Sequence, residues 1–113
     1  MTQNSLKYNM DIKTIEQNVD TAAGLLKALS NEKRLIIICA LYKGEKSVGE
    51  LEEIVGLSQS ALSQHLARLR RDGLVDTRRE AQTIYYSMHD GATKSLLKCL
   101  SDIYCLDAIG GVA

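Results

Sequence analysis

The apolar positions Ile12, Ile15, Val19, Ala22, Leu26 and Leu29 recur at spacings of three and four, with mainly polar residues between them. That rhythm predicts an amphipathic helix with one narrow stripe, nearer to a coiled-coil seam than to a broad core face. Ser30 and Asn31, both good N-caps, open a second helix that runs to about Lys43 and stops before Gly44. Ser47-Val48-Gly49-Glu50 has the form of a capping box, in which Ser47 and Glu50 satisfy each other's free amides. The short helix it starts turns Val48, Leu51 and Ile54 inward, and Gly56 suits the left-handed residue that closes a helix. Ser58 caps another helix only two residues later. A helix, a glycine turn and a second capped helix make a helix-turn-helix pattern.

The helix after Ser58 is predicted from Gln59 to about Asp72, with a stop at Gly73. Leu62, Leu66 and Leu69 define its buried side. At 100° per residue the opposite stripe carries Ser60, Gln64, Ala67, Arg68 and Arg71, flanked by Ser63 and His65. Glutamine can pair with adenine, serine with several bases, and arginine with guanine or the backbone. On an isolated helix such a face is most simply a solvated surface. The capped turn before it and the element after it favour a DNA-reading face, which begins at Ser58 and Gln59.

That following element is a hairpin. Leu74 to Arg79 and Thr83 to Met88 are rich in β-formers and flank Glu80-Ala81-Gln82. Ile84, Tyr86 and Met88 alternate with Tyr85 and Ser87, as in a half-buried strand. The turn lacks glycine and asparagine, so its type is open. Arg78, Arg79 and Gln82 lie at or near the tip, where a wing would meet the sugar-phosphate backbone. Asp90 then caps a last helix through about Leu106, with Leu96, Cys99, Ile103 and Leu106 along one stripe. The first and last helices offer more apolar surface than a small helical core needs, which points to a homodimer.

Length and composition suit one soluble domain: 113 residues, 45% hydrophobic, 25% charged and no proline. Residues 1–10 read as an arm, 11–107 as the domain and 108–113 as a tail. No segment resembles a signal peptide, and the apolar run Leu35–Leu41 is far too short to span a bilayer. The expected location is the cytoplasm. A net charge of zero argues against a nucleic-acid binder until its distribution is read. Between Gln59 and Arg79 stand Arg68, Arg70, Arg71, Arg78 and Arg79 against only Asp72 and Asp76. Glu45, Glu50, Glu52 and Glu53 gather separately, so a local basic patch survives for phosphates.

In order, helix, helix, helix-turn-helix, wing and helix, the chain resembles the ArsR-type winged-helix repressors. The segment Leu57-Ser58-Gln59-Ser60-Ala61-Leu62-Ser63-Gln64-His65-Leu66, followed by Leu69-Arg70-Arg71-Asp72-Gly73-Leu74-Val75, carries the resemblance. It implies a mainly α fold with a β-hairpin wing, a winged helix-turn-helix that dimerises through its first and last helices. It also implies binding to double-stranded operator DNA and release by an inducer. Most such proteins sense metals. Where some carry Cys-x-Cys in the first helix of the motif, this chain has Leu51-Glu52-Glu53-Ile54. Where others carry Asp and His along the last helix, Asp90 is followed by Gly91-Ala92-Thr93. Metal sensing is therefore the alternative rather than the expectation, and no cofactor is expected.

Cys39 and Cys105 match the cysteine pair of the sulfide- and persulfide-responsive members, as do Arg79-Glu80-Ala81-Gln82-Thr83 and Tyr104-Cys105. The resemblance implies that reactive sulfur species act as inducer by linking Cys39 to Cys105 through added sulfur. Cys105 lies near a helix end and should react first, whereas Cys39, inside an apolar run, should resolve the product. Cys99 is expected to be a packing residue. The plainest alternative is that all three are inert thiols. A thiol enzyme or sulfur carrier using Cys105 would need an activating partner that no spacing supplies, so no enzyme is expected. A helical interaction module without DNA binding is the remaining class.

Overall fold

The structure, a computed structural model, describes residues 11–89 and 91–105. The expected arm at 1–10, the Asp90 cap, Leu106 and the tail lie outside the described residues.

Helix α1 spans Ile12–Leu29 and α2 spans Glu32–Tyr42, where the Asn31 side chain accepts from the Arg34 N–H. Ile37, Ile38, Cys39, Ala40 and Leu41 are buried in succession, so α2 is apolar around most of its circumference and runs through the middle of the core. Strand β1 is Lys46–Ser47 and α3 is Val48–Val55. The capping box forms: Ser47 N–H donates to Glu50 Oε1 at 2.8 Å, and Glu50 N–H to Ser47 Oγ at 3.2 Å. Gly56 closes α3 at φ 73°, in the left-handed region. Helix α4 covers Gln59–Arg71 and buries Leu62, Leu66 and Leu69. Leu74 N–H bonds to Leu69 O and Gly73 N–H to Arg70 O, a Schellman closure that turns the chain directly into the wing.

The wing strands β2 (Val75–Glu80) and β3 (Thr83–Met88) pair antiparallel, and β1 joins the other edge of β3 to give the order β1-β3-β2. Two sequence expectations change here. The connection has two residues, not three, because Glu80 pairs with Thr83. The strand β1 was not foreseen, and it pairs Ser47 with Tyr85 and Lys46 with Tyr86. Tyr85 and Ser87 are half-buried like Ile84 and Tyr86, and the period-two alternation is blurred. At the turn Ala81 stands at φ 57°, a conformation costly for any residue with a Cβ. Ala81→Gly is expected to stabilise the fold by up to about 1 kcal/mol, measured by urea unfolding at fixed protein concentration.

Helix α5 spans Ala92–Tyr104, with Gly91 in the N-cap position and Cys105 as a left-handed C-cap at φ 58°. Leu97 and Thr93 anchor it to the core. Cys99, expected to be a packing residue, is exposed instead, and Ile103 on the stripe read as surplus to the core is 61% exposed. From residue 11 to residue 22 every position of α1 is exposed, Ile12 by 65%.

Candidate nucleic-acid interface

The turn between α3 and α4 is short because a left-handed glycine and a capping serine sit two residues apart. Ser58 Oγ accepts from the Ala61 N–H at 3.2 Å, which satisfies a free amide at the start of α4. With its leucines sealed against the core, α4 presents Gln59, Ser60, Ser63, Gln64, Ala67 and Arg71 to solvent. Arg70, absent from the predicted set, is exposed as well.

His65 and Arg68 do not share that open face. His65 is half-buried with Nδ1 3.5 Å from Arg34 Nη1 on α2. Burial first, and the Arg34 charge second, push the imidazole below its ordinary pKa. The helical wheel contained this signal, since His65 lies only about 70° from the centre of the leucine stripe. Arg68 Nε bonds to Asp72 at 2.8 Å and is also half-buried.

Cross-strand register divides the wing into two faces. Arg79 pairs with Ile84, and Arg78 with Tyr85, so the two arginines point to opposite sides. Arg78 lies among carboxylates. Its Nε and Nη2 donate to the two oxygens of Glu45 at 2.7 and 2.8 Å, and Nη1 donates to Glu80 at 2.7 Å. Its guanidinium also covers the Tyr85 ring at 4.4 Å. These bonds raise the Arg78 pKa, and Arg78 in turn holds the Glu45 carboxyl below the usual range. Thus Arg78 straps β2 across β3 to the segment before β1. Gln82 is exposed at the turn and lines one open groove with Gln59, Ser47, Glu52 and Ile84. Wing tip and the start of α4 therefore border the same space.

The three thiols are free. Cys39 is buried on α2, and burial raises its pKa. Cys105 is exposed at the end of α5. Among the described residues no three His, Cys, Asp or Glu side chains converge as metal ligands would, and no helix is long and apolar enough to cross a membrane. Among the described residues, Ile12, Ile15, Val19 and Leu26 on α1, with Ile103 and Tyr104 on α5, are the large apolar side chains left uncovered. An open apolar groove lined by Leu26, Leu29, Leu35, Leu96 and Leu100 lies between α1, α2 and α5.

A capped tight turn, a sealed helix with a polar outer row and a three-stranded wing define a winged helix-turn-helix domain. Comparison with known proteins names the family. Residues 31–77 match the bacterial regulatory protein, arsR family. The transcriptional activator HlyU of Vibrio cholerae is 52% identical over 96 residues, covering 85% of this chain and 89% of its own. A structure of reduced HlyU from that organism superposes with a TM-score of 0.79 at 52% identity, covering 83% of this chain and 99% of that one. The biofilm growth-associated repressor of Xylella fastidiosa is 39% identical over 105 residues, covering 93% and 91% of the two chains. The homodimeric winged helix-turn-helix domain of Mb0332 from Mycobacterium bovis has a TM-score of 0.72 at 27% identity, covering 85% and 88%. The chain belongs to the arsR family and is a transcriptional regulator, as these relatives are.

Proposed function

We propose that this protein is a cytoplasmic repressor that binds a two-fold operator in double-stranded DNA as a homodimer, and that reactive sulfur species release it by bridging Cys39 and Cys105. The observation that carries the DNA reading is the exposed row Gln59, Ser60, Ser63 and Gln64 on a helix sealed behind by Leu62, Leu66 and Leu69. In this reading Gln64 and the serines meet base edges in the major groove, while Ser58, Arg71, Arg79 and Gln82 meet the backbone. His65 and Arg68 act from behind because they are half-buried, and Arg78 because its guanidinium is held by two carboxylates, whereas Arg71 is exposed with only a 3.8 Å approach to Asp72. Two copies would place their α4 helices about 34 Å apart, in successive major grooves.

The test is binding to an operator selected from random duplexes, compared with an unrelated duplex across a salt series. Gln64→Ala is expected to cost about 1–3 kcal/mol of base discrimination. Arg79→Ala should weaken both duplexes alike and flatten the salt slope by about 1. If Gln64→Ala weakened both equally, the base-reading role would be wrong.

For the sulfur step, the exposed Cys105 thiolate attacks the central sulfur of hydrogen trisulfide and displaces HS⁻, leaving Cys105 Sγ–S–SH. The Cys39 thiolate then attacks the internal sulfur bonded to Cys105 and displaces a second HS⁻. A trisulfide bridge results, with the inducer as the two-electron oxidant and both thiol protons lost to solvent. Exposure of Cys105 and burial of Cys39 support this order. Because burial raises the Cys39 pKa, its thiolate fraction grows as pH rises toward that value. Closure of the bridge should therefore accelerate about tenfold per pH unit above neutrality until Cys39 is ionised, followed by mass spectrometry. A closure rate independent of pH would remove Cys39 as the resolving thiol.

A further inference from the structure

Arg34 belongs to none of the motifs above, yet it touches both helices that a DNA-binding dimer must hold in register. Its Nε donates to Ala28 O at 2.6 Å and its Nη2 to Lys27 O at 3.4 Å, in the last turn of α1. Carbonyls in a last helical turn lack the usual donor four residues on, Lys27 O being met by the capping Ser30 through its N–H at 3.3 Å and its Oγ at 3.1 Å, and the negative end of the helix dipole favours a cation beside them. The remaining arm of the fork, Nη1, faces His65 Nδ1 on α4 at 3.5 Å. Arginine can only donate, so a neutral His65 meets it with the Nδ1 lone pair and keeps its proton on Nε2. Asn31 fixes the Arg34 backbone by accepting from its N–H at 3.0 Å.

We infer that Arg34 is a positioning residue that locks the end of α1 to the recognition helix α4 through His65, and so sets the spacing at which a dimer presents its two reading helices. The inference rests on the proposed reading of α4 as base reader and α1 as dimer face. A guanidinium is planar and its donors point in fixed directions. Rotating α1 against α4 therefore breaks one grip or the other. The site is partly desolvated, and burial and the nearby Arg68 lower the Arg34 pKa while Asp72 acts the other way. A cation held in such surroundings is satisfied by the carbonyls and imidazole around it. Lysine keeps the charge but, as a single ammonium, does not span both helices.

The experiment uses the full chain and the selected operator, with one or two base pairs inserted or removed at its centre. Each base pair changes both the separation and the rotational phase of the half-sites. The wild type should prefer the original spacing clearly. In Arg34→Lys and in His65→Ala that preference is expected to fall about fivefold, with dimerisation by sedimentation unchanged. A change in affinity alone would fit a structural role, but loss of spacing discrimination would not. Should Arg34→Lys fail to fold, His65→Ala carries the test, because it leaves the contacts on α1 intact. Wild-type discrimination in either folded variant overturns the inference and leaves the DNA-binding proposal standing. A wild type indifferent to spacing instead overturns the dimer reading, and this inference with it.

Discussion

Val19→Asp is expected to yield a monomer whose operator affinity is at least about a hundredfold lower. Ile15→Asp and Ile103→Asp should behave alike, because all three side chains are exposed in one chain and lie on α1 or α5. The argument begins with α1. Its first half touches little of its own chain, and an isolated helix of this length is marginal in water. Covering its apolar stripe with a second copy supplies the missing burial, and a carboxylate buried in that seam without a partner costs several kcal/mol. Val19 contributes little to the core of one chain, so the substitution should leave the folded monomer standing. Sedimentation velocity and fluorescence anisotropy on operator DNA measure the two effects. A wild type that sediments as a monomer at micromolar concentration would refute the proposal.

Cys105→Ser is expected to abolish the response to polysulfide while leaving untreated DNA binding at the wild-type level. The proposed release requires both ends of the bridge, so Cys39→Ser should be equally silent, and Cys99→Ser should respond normally. Cys105 is the solvent-facing end, held by its own N–H to Ser101 O at 2.8 Å in a left-handed cap. Serine fits that backbone as well as cysteine does. A direct disulfide needs Cα atoms within roughly 4.4–6.8 Å, whereas added sulfur closes a wider gap. Peroxide is accordingly expected to release little DNA under conditions where polysulfide releases most of it. Anisotropy with mass spectrometry of the same samples checks each point. A Cys105→Ser protein that still leaves its operator on polysulfide treatment would end the sulfur reading without touching the DNA reading.

What the sequence made legible were the features decided within a few residues. Ser47 and Glu50, Gly56, Ser58 and Gly73 each announce a helix end through local hydrogen bonding or a left-handed turn, and all five do so in the fold. The leucines of α4 follow directly from helical period. Features set by distant partners were not legible. Strand β1 has two residues, too few for any alternation, and exists because β3 offers it an edge. Arg78 read as a phosphate ligand because nothing nearby in sequence reveals Glu45, 33 positions away. Cys99 read as core because its stripe is apolar, but a stripe does not say whether its own chain or another copy covers it. Of the proposed DNA face, the exposed serines and glutamines were readable from period alone, whereas the inward turn of His65 needed the place of α2.

Ser47 ends β1 and caps α3, so one residue serves both the wing sheet and the helix-turn-helix. Its backbone pairs with Tyr85 while its hydroxyl holds the first turn of α3. This overlap governs how the protein can be recombined. A chimaera that exchanges only α3 and α4 for those of another regulator would sever the edge strand from its sheet. One that exchanges only the hairpin would strand Glu45 without Arg78. The smallest segment that keeps the wing sheet and the Arg78–Glu45 bridge whole runs from Glu45 through Met88, and grafts cut inside it should lose solubility before they change which operator is chosen.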